Sequence, residues 1–292
     1  MADQKARISS KETARVFLQS MSCSQALMTV LDRALGYPTE LEERAAHALA
    51  GGVMNRGLQC GMVSGAALAA GAEAARRFGS GAQAEAAAIF AAKKLLESFR
   101  ARTSTADCFE ITGANLMTFS GRMKYMFTGK ANACTRLAVK WAPEARDAIL
   151  AALDEASGNA PDLPVSCASL AARKMGASDI EAVTCAGLSG GTGLEGNYCG
   201  ALGAAIWLTT LRWYQNHPEV GESLFRALRH EMSKKIDFFP NVVGVTKKFL
   251  DATGGRMRCA EIIGRNFKDI DDHAEFLRNG GCADIIAAIG SE

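Results

Sequence analysis

Apolar residues along this chain recur three and four positions apart over long stretches, and strict alternation of apolar with polar residues is almost absent. That period puts apolar side chains on one face of an α-helix, so the pattern predicts an all-α fold. A first helix is expected from the box Ser9-x-x-Glu12 to Gly36, with Cys23 sharing an apolar face with Val16, Leu27 and Val30. A second starts at Thr39, where Glu42 completes another capping box. Further helices are expected from Cys60 to Arg77, from Ala82 to Arg100, and from a cap at Asn132 to Ala156, the last bent or divided by Pro143.

The stretch "SGNAPDLP" reads as a linker, and beyond it the series begins again. "VSCASLAARKMGAS" is a shortened first helix, Ser178-x-x-Glu181 a capping box, and helices are expected over Cys199 to Gln215 and Pro218 to Lys235. "FFPNVVG" is an irregular insertion, and "GGCADIIAAIG" closes the chain.

Aligning the halves on Cys60 and Cys199 shows why the series repeats. "GGVMNRGLQCG" lies over "GGTGLEGNYCG", and "CFEITG" at Cys108 matches "CAEIIG" at Cys259. Cys23 in "MSCSQA" matches Cys167 in "VSCASL", and Cys134 in "ACTRLA" matches Cys282 in "GCADII". The four-cysteine order is written twice while the lengths between anchors drift. The expected architecture is therefore two homologous helical-bundle modules related by internal duplication, residues 1–157 and 158–292. Cys185 stands outside the series, since Ala46 occupies its place, and reads as a core residue.

Composition narrows the function. With 33 Lys and Arg against 31 Asp and Glu, the net charge is +2, and no basic stripe with interleaved aromatic residues points to nucleic acid. The charged start lacks the apolar core of a signal peptide, and no apolar run reaches membrane-spanning length. A cytoplasmic chain without a membrane span is expected. Its nine cysteines then read as metal ligands or redox thiols rather than as a disulfide framework.

The candidate ligands are Cys23, Cys60, Cys108 and Cys134 in the first half and Cys167, Cys199, Cys259 and Cys282 in the second. A core position can drift to Ala, Val or Ser, whereas a ligand cannot. Cys60 and Cys199, at predicted helix starts, are the candidate redox thiols, because the positive end of the helix dipole favours a thiolate. Gly57, Gly61, Gly196 and Gly200 flank them as candidates for cradling a cofactor with backbone N–H groups, or simply as chain-turning residues. Glu110 and Glu261 recur but read as backbone caps. His47, His217, His230 and His273 have no counterparts and read as surface or core positions, and Arg56 opposite Glu195 argues against a shared catalytic role.

No C-x-x-C occurs, which disfavours a thioredoxin-like pair, a zinc ribbon, short-spaced ferredoxin ligands and c-type haem attachment. Four thiols converging from distant helices would suit an iron–sulfur cluster, a closed zinc site or two redox disulfides, and spacing does not separate them.

These elements resemble the C-GCAxxG-C-C family, named after its cysteine pattern: an early Cys, a glycine-rich approach to C-G-A-x-x-G, a Cys followed by Glu and Gly, and a last Cys opening a helix. The first half has Met62 for the Ala and keeps Gly65; the second keeps Ala201 and has Ala204 for the last Gly. The resemblance implies a small helical redox module, some of whose relatives carry iron–sulfur chemistry. The expectation is an electron-transfer protein or oxidoreductase component with an iron–sulfur cluster on each cysteine set or one shared between the two modules, zinc as the alternative metal, and a redox partner protein. A thiol–disulfide redox protein or sensor and a zinc-binding helical scaffold are the competing readings, and a homodimer is compatible with each.

Overall fold

The computed structural model describes residues 8–156, 164–217 and 240–291. Among these residues the regular elements are all helical, and extended pairing is confined to two isolated bridges, Gln59 with Asp107 and Tyr198 with Arg258.

The expected first helix is two helices. α1 (Ser10–Ser20) is capped by Ser9, which accepts from the Glu12 N–H, and ends on Met21 in the left-handed region at φ 50°. Ser22 then caps α2 (Cys23–Leu35), its hydroxyl accepting from the Gln25 N–H at 3.3 Å. The cap starts a new helix inside an unbroken apolar period. Cys23 consequently sits in the first turn of α2, and Cys167 does the same at the start of α9 (Cys167–Lys174), capped by Ser166.

Thr39 makes no side-chain cap to α3 (Glu40–Ala45); Glu43, not Glu42, reaches back to the Thr39 N–H at 3.1 Å. A 3-10 turn, Ala46–Leu49, follows. α4 (Gly61–Phe78) and α5 (Ala82–Thr103) match expectation, and α6 (Cys108–Thr112) and α7 (Phe119–Phe127) are additional short helices. α8 (Lys130–Glu155) begins after Gly129, so Asn132 lies inside it, and the helix continues through Pro143.

In the second half α10 (Asp179–Ala186) opens on the complete Ser178–Glu181 capping box, and α11 (Gly200–Asn216) follows. The helix expected from Pro218 to Lys235 lies outside the described residues. From Pro240 onward the expected irregular insertion is instead helical, as α12 (Pro240–Thr253). α13 (Cys259–Ile263), α14 (Ile270–Arg278) and α15 (Ala283–Ile289) complete the chain.

The two halves share one core. Leu27, Leu68 and Trp141 belong to the same apolar cluster as Cys185, Trp207 and Phe249. At the crossing of α4 with α10 a Cβ on Gly71 would lie 2.3 Å from the Thr184 carbonyl oxygen, so glycine there lets the two backbones touch. Cys185 is fully buried in this seam.

Burial also fixes one charge state. Asp32 is 2% exposed on α2, accepts from Thr39 Oγ1 at 3.2 Å, and has the carboxylates of Glu43, Glu42 and Glu73 around it. Burial first, then these like charges, hold its carboxyl well above the usual range. Once pH rises past the ordinary Asp value near 4, the unfolded chain releases a proton that the folded chain keeps, so Asp32 lowers stability as pH increases. Asp32→Asn keeps the acceptor for Thr39 and removes this loss. Its melting temperature is expected to exceed that of wild type at pH 8, with the gap closing by pH 4; an equal gap at both values would contradict the assignment.

Candidate redox centres

Each half builds its centre on a left-handed turn. Gly51, Gly52, Val53, Met54 and Asn55 all have φ between 53° and 74°, and so do Gly190, Gly191, Thr192, Gly193 and Leu194, between 59° and 81°. Five successive left-handed residues are rare, since a Cβ in that region costs about 1–2 kcal/mol per residue. The turn is held by backbone bonds that coincide in the two halves. Val53, Met54 and Asn55 donate to Leu49, Ala48 and Ala50; Thr192, Gly193 and Leu194 donate to Leu188, Gly187 and Ser189.

The turn leads into a short bridge that sets two cysteines side by side. The Cys60 N–H donates to Ala106 O at 2.6 Å and the Cys108 N–H to Leu58 O at 2.7 Å. In the second half the Cys199 N–H donates to Met257 O at 2.8 Å and the Cys259 N–H to Asn197 O at 2.6 Å. Cys60 and Cys199 are the N-caps of α4 and α11, while Cys108 and Cys259 open α6 and α13.

Around these pairs the remaining expected ligands assemble. Cys23, Cys60, Cys108 and Cys134 line one largely apolar cavity of about 380 Å³, together with Met62, Tyr125 and Arg122. In the second half Cys167, Cys199, Cys259 and Cys282 lie close enough to act on one another electrostatically. Cys134 sits in the first turns of α8 and Cys282 is the left-handed N-cap of α15, so the fourth position is not built alike in the two halves.

The ionisation pattern differs from the expected one. Cys60 donates its S–H to Cys23; this bond, with burial, holds Cys60 well above the usual thiol range. The same bond outweighs burial at Cys23 and lowers it to about 7. Burial pushes Cys199 up to about 12, and raises Cys108, Cys134, Cys259 and Cys282 as well. Burial is the largest influence at Cys167 and opposes the thiolate, but the hydrogen bond and charge of His273, with hydrogen bonds from the Gly190 backbone and Ser189, together lower it. Of the helix-start thiols, Cys60 and Cys199 are thus held toward the protonated form, whereas Cys23 and Cys167 are shifted toward the thiolate. In the metal-free chain Cys23, which is also partly exposed, is expected to react first with iodoacetamide, its rate rising with a midpoint near pH 7. Mass mapping that finds Cys60 labelled first would contradict this.

The flanking glycines serve packing. The N–H groups of Gly57 and Gly196 are committed to Gly51 O and Gly190 O, so they are not free to cradle a cofactor. Their missing side chains make room for Phe109 Cβ at 2.9 Å and Asn266 Oδ1 at 2.2 Å. Gly200 stands against Leu188 O at 2.1 Å, and only Gly61 faces a ligand candidate, with the Cys23 sulfur 2.7 Å from where its Cβ would be. Glu110 and Glu261 are exposed, bonded to Thr105 and paired with Arg258 respectively.

Sequence reasoning missed two neighbours. His273 is 1% exposed, with Nδ1 2.9 Å from Val165 O and its ring against Phe267. The carbonyl accepts only, so Nδ1 carries a proton and Nε2 is left for Cys167. Tyr125, on α7, presents its hydroxyl to Cys134. Neither has a counterpart in the other half that the alignment could reveal.

Among the described residues no group of three or more His, Cys, Asp or Glu side chains is arranged to hold a single metal ion, and no helix is long and apolar enough to cross a membrane. No match is found among curated proteins or solved structures. The sequence model of one family, described as "Putative redox-active protein (C_GCAxxG_C_C)", matches residues 21–146. That span carries Cys23, Cys60, Cys108 and Cys134 with the left-handed turn between them, and over those residues the chain is similar to the C_GCAxxG_C_C family.

Proposed function

We propose that the chain is an electron-transfer protein whose two cysteine tetrads each seat an iron–sulfur cluster. One observation carries this reading: four thiols from four separate elements line a single apolar cavity of about 380 Å³. A disulfide needs two thiols and no cavity. A polynuclear cluster bonds each thiolate at a different iron and so suits thiols spaced around a cavity, whereas one zinc ion needs all four within about 2.3 Å of a single point. The raised thiols support the same reading, since six sulfhydryls held in the protonated form ionise together only around a cationic core.

Cys23, Cys60, Cys108 and Cys134 would hold one cluster, and Cys167, Cys199, Cys259 and Cys282 the other. When bound, such a cluster stores or releases one electron. The alanine- and glycine-rich helices bury most of the sulfurs, and Tyr125 and His273 stand against Cys134 and Cys167, where hydrogen bonds tune potential. A partner protein supplies and removes the electrons. The matched turn and bridge bonds support an origin by duplication, and nine free thiols support a reducing, cytoplasmic setting.

The hydrogen-bonded Cys23–Cys60 pair favours a second reading, in which these two thiols lose two electrons and two protons to an oxidant and form a disulfide. Anaerobic purification with iron and acid-labile sulfide assays separates the two. Coloured protein with iron and sulfide in equal amounts is expected. Colourless, iron-free protein after reconstitution, with two thiols lost under oxidant, would establish the second reading instead.

A further inference from the structure

The cavity that holds Cys23, Cys60, Cys108 and Cys134 opens through a surface that is at once basic and apolar. From Ile111 to Pro143 the chain carries no Asp or Glu but holds Arg122, Lys124, Lys130, Arg136 and Lys140. α7 (Phe119–Phe127) lies in this stretch. Its inner side is fixed by Tyr125, which faces Cys134, and by Gly121 four residues earlier, where a Cβ would collide with Asn115 O. The helical period then turns Phe119, Met126 and Phe127 outward together. Phe119 is 72% exposed and Phe127 84%, the highest values for large apolar side chains among the described residues.

Cations surround this ridge. Arg122 and Lys124 are exposed on α7, Lys130 opens α8, and Lys124 Nζ donates to Gly113 O at 2.8 Å. Among the described residues none of the three pairs with a carboxylate. Arg122 and Met126 also line the cavity, as does the exposed Met21 that ends α1, so the cavity mouth and the ridge form one surface.

The fold does not require such a face. α14 (Ile270–Arg278) holds the same place between the third and fourth cysteines of the second set, and there Ala274 and Leu277 are buried while Phe276 packs on Phe267 at 5.3 Å. Its exposed positions include Asp271 and Glu275. An apolar ridge ringed by cations complements a surface that is anionic at its face and apolar beneath. Side chains that project this far need a partner that yields around them, which a fluid lipid layer does without a matching pocket.

We propose that α7 docks the mouth of the first centre on an anionic phospholipid surface. Phe119, Met126 and Phe127 enter the boundary between headgroups and acyl chains, while Arg122, Lys124 and Lys130 meet the phosphates. The mouth then opens toward the lipid, whether its cavity seats a cluster or a thiol pair. The proposal goes beyond the redox reading and does not rest on it.

The test is cosedimentation of the full chain, under reductant, with vesicles of equal parts phosphatidylglycerol and phosphatidylcholine, and with vesicles of phosphatidylcholine alone. Binding to the mixed vesicles is expected to exceed binding to phosphatidylcholine about tenfold and to weaken as salt rises. Phe119→Ser with Phe127→Ser, and separately Arg122→Gln with Lys124→Gln, are each expected to lower it about tenfold. Ile180→Ser, which removes an exposed apolar residue on α10, is expected to leave it unchanged. All these positions are exposed, and an unchanged melting temperature confirms that each variant folds. No binding to either vesicle overturns the proposal and leaves the face to an acidic protein. Binding that survives loss of both phenylalanines, or that is equal on the two vesicles, overturns it as well. Iron and sulfide do not enter this measurement, so the cluster reading stands or falls separately.

Discussion

Gly65→Val is expected to dismantle the first centre without touching a cysteine. α4 crosses the start of α2 at this residue, and a Cβ there would lie 2.0 Å from Ser24 O and 2.8 Å from its carbonyl carbon. Both obstacles are backbone, so no rotamer relieves them and the helices must part. Overpacking of this kind costs about 3 kcal/mol. Ser24 adjoins Cys23, so the same movement draws that thiol away from Cys60, whose S–H it accepts. Denaturant unfolding reads the stability loss, and the Cys23 alkylation midpoint is expected to rise from about 7 toward the ordinary thiol value. A variant of wild-type stability would contradict the crossing. The second half carries Ala204 at the matching position, and there the crossing accommodates a methyl group.

Arg173→Met is expected to be comparably damaging through charge. Glu85 on α5 is 1% exposed, and Arg173 on α9 binds it at 2.7 Å, one half of the chain to the other. Burial raises the Glu85 carboxyl, and Arg173 draws it partly back. Removing the guanidinium strands a buried carboxylate, a loss of about 3 kcal/mol where such pairs have been broken. A raised folded value means that stability is full below the unfolded Glu value near 4.5 and declines as pH climbs toward the folded one. Without Arg173 the decline extends to higher pH, so the deficit is expected to be small at pH 4.5 and largest above pH 7. A deficit independent of pH would show that packing of the Arg173 stem, and not the charge, is what the substitution removes.

Much of the helical framework was legible because periodicity reports burial directly. α4, α5 and α11 fall within a few residues of their expected ends. The break at Met21 was not, because the apolar period runs on through it and only the Ser22 cap marks the restart. The eight cysteines were legible as two sets because matched order survives drift in length. The left-handed turns were half legible: their glycines stood out, but Val53 and Met54 are poor candidates for that conformation, and the backbone bonds to Leu49 and Ala48 impose it. His273 gave no signal, since it reaches Cys167 through tertiary folding alone. The ion pair between Asp107 and Arg258 did leave one: the two are opposite charges at matched positions, as Arg56 and Glu195 are. Of these, Glu195 pairs with Arg100 and Lys93, and only Asp107 and Arg258 pair with each other.

The central claim, two four-cysteine centres each seating a cluster, is tested most directly by native mass spectrometry of the anaerobically reconstituted chain beside its Cys108→Ser and Cys259→Ser variants. Two equal mass increments of iron plus sulfide are predicted for wild type and one for each variant. A wild-type mass equal to that of the polypeptide alone, or an increment of bare metal ions without sulfide, would contradict it.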